Sequence, residues 1–383
     1  MKHLSDFEVR SFRNVRPTKL EFRPGLNVVL GKNAAGKTSL LKLLAGSLSG
    51  ISPDPLQEER AVELRLVDAD ASLGQSVART RTGETGPRGV ALFATRDSYA
   101  INIPGLAVNA EIRDGEVVVD GVSNPGGESP LVTLLRSLEK RPGFDRLLNL
   151  VFTSTARLDE ALDYFQLLLG FWQTRNGERV SNSFWDGLPE SLSRFEVSLT
   201  GKDGPMFRAA FLTKAAQVMG YDAAEGRVDV ETKATGASVE TKFTSLRFAF
   251  AHGADRFLHH SLSYGERRLL AFFAMSDACP EIMIVDELIN GLHHDWIRAC
   301  LSEIGERQAF LTSQNPLLLD YLEFEDSEDV RRGFVLCERV KGELGLTELV
   351  WRNPTQAEAS EFFAAYETGL QSVSEILISK GFW

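Results

Sequence analysis

Gly31-Lys32-Asn33-Ala34-Ala35-Gly36-Lys37-Thr38 has the form G-x-x-x-x-G-K-[ST]. It is entered from the apolar run Leu26-Asn27-Val28-Val29-Leu30 and left through Ser39-Leu40-Leu41-Lys42-Leu43-Leu44-Ala45, whose leucines recur at helical spacing. Strand, glycine-rich loop and helix in that order are the context a phosphate-cradling loop requires. Glycines let backbone N–H groups converge on phosphate oxygens, and the start of the helix adds partial positive charge. Lys37 is then expected to reach the β- and γ-phosphates and Thr38 to place its hydroxyl on Mg²⁺. The expected ligands are a nucleotide and Mg²⁺, the nucleotide cradled by Gly31, Lys32, Asn33, Ala34, Ala35, Gly36, Lys37, Thr38 and Ser39.

Outward from this loop, Phe7 to Val15 and Lys19 to Phe22 read as strands, with Pro24-Gly25 as the turn that feeds the loop strand. Beyond Ser52-Pro53-Asp54-Pro55, residues 62–67 and 108–119 alternate as antiparallel strands, with Asp114-Gly115 and Asp120-Gly121 as turns. From about 130 to 235 the texture reads as helical. Leu158, Leu162, Phe165, Leu169 and Trp172 are spaced for one buried helical face, and Phe207, Phe211, Ala215 and Met219 for another. Strand texture returns at 241–251, a helix follows at 269–275, and Ile282 to Val285 is a buried strand. The final quarter alternates helix and strand, and the acids Glu323, Glu325, Asp326, Glu328 and Asp329 read as a solvated loop. The expected fold is α/β, with an antiparallel β lobe, a mainly parallel α/β core and a compact helical insert. The expected blocks are residues 1–130, 131–238 and 239–383.

The chain has 383 residues, of which 43% are hydrophobic and 25% charged, ordinary values for a globular protein. No apolar run is long enough to span a membrane and the start lacks a secretory h-region, so the expectation is a cytoplasmic protein without a membrane partner. Cys279, Cys300 and Cys337 lie far apart and fit neither a disulfide framework nor a zinc site. A net charge of −11 argues against indiscriminate coating of nucleic acid. Locally, however, residues 1–40 carry Lys2, Arg10, Arg13, Arg16, Lys19, Arg23, Lys32 and Lys37 against Asp6, Glu8 and Glu21.

A phosphate loop alone fits kinases, GTPases and many ATPases, so a second motif decides the class. Ile282-Met283-Ile284-Val285-Asp286-Glu287 is an apolar strand ending in two acids. Asp286 is placed to hold Mg²⁺, and Glu287, one residue beyond, to polarise the attacking water as general base. Upstream, Leu262-Ser263-Tyr264-Gly265-Glu266-Arg267-Arg268 is a polar turn opening an apolar helix. There the Ser263 hydroxyl and the first N–H groups could receive an anion.

That turn resembles the L-S-x-G-E signature of ABC-type ATPases. The full order resembles the RecF/SMC branch: Walker A at 31–38, signature at 262–266, Walker B at 282–287 and Asn290-Gly291-Leu292-His293 as a D-loop. It looks closest to the stand-alone ATPases grouped with the overcoming-lysogenization-defect nucleases and other phage-defence ATPases. Phe7-Glu8-Val9-Arg10-Ser11-Phe12-Arg13-Asn14-Val15 is similar to the start of those proteins.

The resemblance implies a head-to-tail homodimer, or a higher homo-oligomer, with ATP sandwiched between chains. Ser263, Gly265 and Glu266 of one chain would complete the site built on Gly31, Gly36 and Lys37 of another, and Arg13 matches a basic position near the nucleotide. The switch segment departs from the usual Thr-His-Ser-Pro and reads Ser313-Gln314-Asn315-Pro316. Gln314 can hydrogen-bond a γ-phosphate or water but cannot carry a proton, so hydrolysis is expected to be slow or partner-triggered. No glutamine follows Phe152 where a Q-loop would stand. Residues 317–383 are too few for the TOPRIM nuclease of OLD-like proteins, so a separate effector, a nuclease or toxin, is expected in anti-phage defence. A RecF-like repair ATPase that clamps DNA, and an ATP-gated scaffold with little turnover, stand as alternatives.

Overall fold

The structure is a computed structural model that describes residues 2–48, 58–85, 91–113, 116–124, 130–159, 161, 172–175, 178–182, 205–236, 238–278, 281–313, 316–342 and 345–382. The chain divides into two compact units, Met1–Thr155 with Glu306–Trp383, and Ala156–Gly305. These cut the chain at other places than the three blocks read from sequence texture.

In the first unit an eight-stranded antiparallel sheet runs in the order Thr18–Glu21, His3–Phe12, Arg60–Asp68, Ala71–Thr85, Ala91–Ile103, Leu106–Arg113, Glu116–Val119, Val122–Asn124. Arg60–Asp68 buries Arg60, Val62, Leu64 and Leu66 in strict alternation, as a one-sided strand must. His3–Phe12 instead buries Leu4, Phe7, Val9 and Phe12, with two steps of three residues. Its register against Arg60–Asp68 shifts between Leu4 and Asp6 and again between Val9 and Ser11. Each bulge restores the inward face after an extra residue. The strands Ala71–Thr85 and Ala91–Ile103 enlarge the lobe beyond the sequence expectation; the turn at Asp114-Gly115 lies outside the described residues.

The same unit holds the loop strand Leu26–Leu30 between Gln308–Thr312 and Phe334–Lys341, both parallel to it, with Thr347–Arg352 antiparallel at the edge. These are unbroken buried runs: Val28, Val29, Ala309, Phe310, Leu311, Phe334 and Val335 are all fully buried, as strands covered on both faces require. Gln308 ties this sheet to the antiparallel one. Its Oε1 accepts from the Leu4 N–H at 2.8 Å, and its Nε2 donates to the carbonyls of Leu4 and Arg23, each at 2.9 Å. The acid cluster is a helix start and not only a loop. Asp326 caps Ser327–Gly333 by accepting from the Asp329 N–H at 2.7 Å, and the acids of the first turn complement the helix dipole, while Glu328 pairs with Arg331 and Arg332, its i+3 and i+4 neighbours on the helix. The helix Val373–Ser379 docks on this core through Val373, Ile376 and Leu377, which join Leu319, Phe334 and Phe362.

The second unit contains an antiparallel sheet in the order Glu178–Asn182, Trp172–Arg175, Ser238–His252, Ala223–Thr235, Met206–Phe207, with Asp255–Leu258 also on Ser238–His252. The insert therefore mixes strands with helices. Trp172, expected at the end of a helical face, pairs with Phe243 in a strand. The Asn176-Gly177 dipeptide between the two short strands is a hairpin sequence, and it outweighs the helical spacing before it. Arg227-Val228-Asp229-Val230-Glu231-Thr232 alternates with period two and forms strand for the same reason. Leu162, Phe165 and Leu169 lie outside the described residues. The helix Ala210–Met219 is present, buries Phe211 and Ala215, and sets Phe211 edge-on to Phe248 at 5.6 Å, while Phe207 sits on a strand. Among the described residues no helix is long and apolar enough to cross a membrane.

Candidate nucleotide site

In the first unit the loop strand ends at Leu30 and the helix Lys37–Leu48 begins after six intervening residues. Gly31 has φ +140°, and a Cβ there would overlap the Cys337 carbonyl oxygen. Gly36 has φ +90°, and its Cβ would stand 2.8 Å from Leu349 Cδ1 and 3.1 Å from the Trp351 indole nitrogen. Both positions therefore demand glycine, for the turn and for the close floor beneath it. Ala34 at the tip is also left-handed, with φ +64°. Inside the loop the Lys37 ammonium donates to the Gly31 carbonyl at 2.6 Å and to that of Lys32 at 3.2 Å. An ammonium has three donors, so one remains for a phosphate oxygen. Lys32, Asn33, Ala34 and Thr38 are exposed and Ala35 is buried.

The structure brings Arg13 to this loop. Its Nη1 donates to Ser39 Oγ at 3.2 Å, and its Nε donates to Glu58 Oε2 at 2.6 Å. The bonds to Glu58 hold the guanidinium pKa above its ordinary value. The Arg13 backbone is left-handed, φ +47°, and is anchored by the neighbouring Asn14 carbonyl, which accepts from the Leu349 N–H at 2.9 Å. Burial pushes the Cys337 thiol up to about 12, so this cysteine, like buried Cys300, serves as packing; Cys279 lies outside the described residues.

In the second unit Ser263 caps the helix Tyr264–Asp277 in a capping box. The Glu266 N–H donates to Ser263 Oγ at 3.3 Å, and the Ser263 N–H donates to Glu266 Oε2 at 2.7 Å. The other Glu266 oxygen accepts from the Tyr221 hydroxyl. Burial works to raise the Glu266 pKa, but the bonds from Ser263 and Tyr221 outweigh it and leave it lowered. Glu266 is thus engaged as a structural cap. Gly265 is required by contact: a Cβ there would overlap the Gly291 carbonyl oxygen, so the signature turn lies directly on the D-loop.

The Walker B strand Ile282–Val285 is wholly buried, and Asp286 and Glu287 emerge half-buried at its end. Glu287 is left-handed at φ +54°, a conformation that costs a non-glycine residue on the order of 1 kcal/mol or more. The Asn290 side chain donates to the Glu287 carboxylate, and the Asn290 N–H donates to the Glu287 carbonyl at 3.1 Å. Gln314 lies outside the described residues. Sequence reading missed Arg268, a buried arginine that donates to backbone carbonyls beyond the Walker B strand. Its one sequence signal is an arginine where the apolar helix begins.

A family model described as "AAA domain, putative AbiEii toxin, Type IV TA system" matches residues 113–320, and a second AAA-domain model matches residues 7–97. The chain is 38% identical over 100 residues to the Smc-like protein Sph2 of Halobacterium salinarum, covering 26% of this chain and 14% of that protein. It is 31% identical over 122 residues to the DNA double-strand break repair Rad50 ATPase of Archaeoglobus fulgidus, covering 32% and 12%. Against the DNA replication and repair protein RecF of Hydrogenovibrio crunogenus it is 35% identical over 89 residues, covering 21% and 25%. The matched stretch is thus a quarter or less of the length of each of these curated relatives. The SMC head domain from Thermotoga maritima aligns over 91% of this chain and 98% of that one, at 11% identity and a TM-score of 0.37. Since the first family match takes in more than half of the chain, the protein belongs to the AAA-domain family of that description, on the SMC/RecF branch of ABC-type ATPases.

Proposed function

We propose that the protein is an ATP-driven switch that pairs with a second copy of itself and thereby controls a separate effector, a nuclease or toxin, in anti-phage defence. The observation that carries the pairing is the signature turn. Ser263 and Tyr264 are exposed at the start of a helix whose next turns are buried, so an anion-receiving end faces outward from a rigid base. The family description, which names a putative toxin and a toxin–antitoxin system, supports the defence setting, and the separate effector rests on the resemblance to phage-defence ATPases.

Bound with Mg²⁺, ATP supplies the phosphoanhydride bond that breaks to give ADP and phosphate. Lys37 neutralises the β- and γ-phosphates, and Thr38 and Asp286 are the proposed magnesium ligands. Glu287 takes a proton from the attacking water, and Gln314 hydrogen-bonds the γ-phosphate or that water. Ser263 and Gly265 contact the nucleotide held by the other copy. A DNA-clamping repair ATPase is the second reading, supported by the relatives named RecF and Rad50.

The test is the mass in solution of Glu287→Gln with and without ATP and Mg²⁺, by light scattering, beside phosphate release by the unaltered protein. The expected result is a doubling of mass on ATP, absent in Lys37→Ala and in Ser263→Arg, with measurable turnover only in the unaltered chain. A mass indifferent to ATP would move the reading to a constitutive scaffold, and full nucleotide affinity in Lys37→Ala would remove the loop from the site.

A further inference from the structure

One buried guanidinium in the second unit gathers four hydrogen bonds. Arg268 is 5% exposed. Its Nε donates to the Leu288 carbonyl at 3.2 Å, its Nη2 to the carbonyls of Glu287 at 2.7 Å and of Asp286, and its Nη1 to the Tyr264 hydroxyl at 3.3 Å. Three consecutive carbonyls thus turn toward one cation. Without it their oxygens would repel one another and the bend would lose its cause.

The bend is also where Glu287 holds φ +54°. Strain of this kind persists only where the surroundings over-determine it. Here Arg268 fixes the backbone and Asn290 fixes the carboxylate. A buried guanidinium answered by neutral carbonyls is a weak way to gain stability, because desolvation of the charge offsets much of the attraction. Geometry is the better reason for it.

The other end of the relay lies at the surface. Tyr264 is 51% exposed, and its ring borders Gly291, where an added Cβ would stand 3.2 Å from the ring. The side chain therefore reaches from the exposed signature turn, past the D-loop, to Arg268.

We propose that Arg268 is a positioning residue for ATP hydrolysis: it holds Glu287 in the bend that sets the direction of its carboxylate, and through Tyr264 that hold responds to contact at the signature turn. The proposal rests on Glu287 as the general base. Lysine cannot replace Arg268, since an ammonium offers three donors from one point and four acceptors here surround a planar fork of five.

Steady-state phosphate release and ATP titration calorimetry of the full chain, with a thermal melt for each variant, test this. Arg268→Lys is expected to lower kcat by roughly tenfold or more while KM and ATP affinity stay within about twofold, the signature of a misdirected base. Tyr264→Phe keeps the ring and removes the hydroxyl, and is expected to lower kcat by a smaller factor, about two to three, again without change in KM. A folded Arg268→Lys with unaltered kcat, or with its whole loss in ATP affinity, overturns the proposal. Should Arg268→Lys fail to melt cooperatively, Tyr264→Phe decides, and an unaltered kcat in that variant overturns it. Turnover in the unaltered protein no greater than in Lys37→Ala would overturn the ATPase reading and this proposal together, whereas normal turnover beside an indifferent Arg268→Lys removes only the proposal.

Discussion

His259 stands four residues before the signature serine and is 2% exposed. Its Nδ1 accepts from the Phe248 N–H at 3.1 Å, so the folded state requires a neutral ring, and burial pulls its pKa from 6.5 to about 4. Below pH 6.5 the unfolded chain binds a proton here that the folded chain refuses. Stability from this residue is therefore complete above pH 6.5 and declines as pH falls toward 4, by at most about 3 kcal/mol. The carboxylate of Glu328 lies in another window. Arg331 and Arg332 hold its pKa at about 2 against 4.5, so its contribution is lost only below pH 4.5. Melting temperature against pH should show the first decline in the unaltered protein and lose it in His259→Asn, whose side-chain oxygen can still accept from Phe248. Parallel curves for the two proteins would remove His259 as the source. Neither effect was legible in the sequence, where His259 is one of six histidines and nothing marks it as buried.

At the scale of elements, the signature and the cap share a sequence. Ser263-Tyr264-Gly265-Glu266 has the S-x-x-E spacing of a capping box, and the same device starts Gln356–Glu367 with Thr355 and Glu358, and Val373–Ser379 with Ser372 and Glu375. Local geometry therefore does not separate a nucleotide contact from a helix start. What does separate them is Gly265, whose missing Cβ admits the D-loop. Thr355→Ala and Ser263→Ala should each cost about 1 kcal/mol of cap stability and lower the melting temperature by about 2–4 °C. Only Ser263→Ala should also weaken ATP-driven assembly, read by light scattering. Equal assembly in both variants would reduce Ser263 to a cap. The Walker A strand and helix were legible because their apolar pattern is continuous. The strands at 71–85 and 223–235 were missed because only Leu73 and Val77 in the first, and Val228 and Val230 in the second, carry the alternation as strongly apolar residues, among Ala, Gly, Thr and charged neighbours.

At the scale of the whole molecule, the basic excess of residues 1–40 changes meaning on folding. Arg10 pairs with Glu8 and Glu63, Arg13 with Glu58, Arg16 with Glu348, Lys19 with Asp6 and Arg23 with Asp329. Five of the eight cations thus meet acids, most of them distant in sequence. Paired cations release few counterions, so duplex DNA should bind the ATP-loaded protein with a shallow salt dependence, a log–log slope of about −1 to −2. Fluorescence anisotropy between about 50 and 200 mM salt measures it, and a slope near −5 or steeper would favour the DNA-clamping reading. The sequence by itself determined the class of site: backbone-cradled phosphate binding needs glycines at set spacing between a strand and a helix, and that pattern is local. It likewise settled the α/β class and the order of the motifs. Only the tertiary structure decided that Gly265 serves the D-loop, that Arg268 bends the Walker B end around a buried cation, and that the N-terminal arginines are paired. Those facts depend on which segments meet, and a chain of residues in order does not state its long-range contacts.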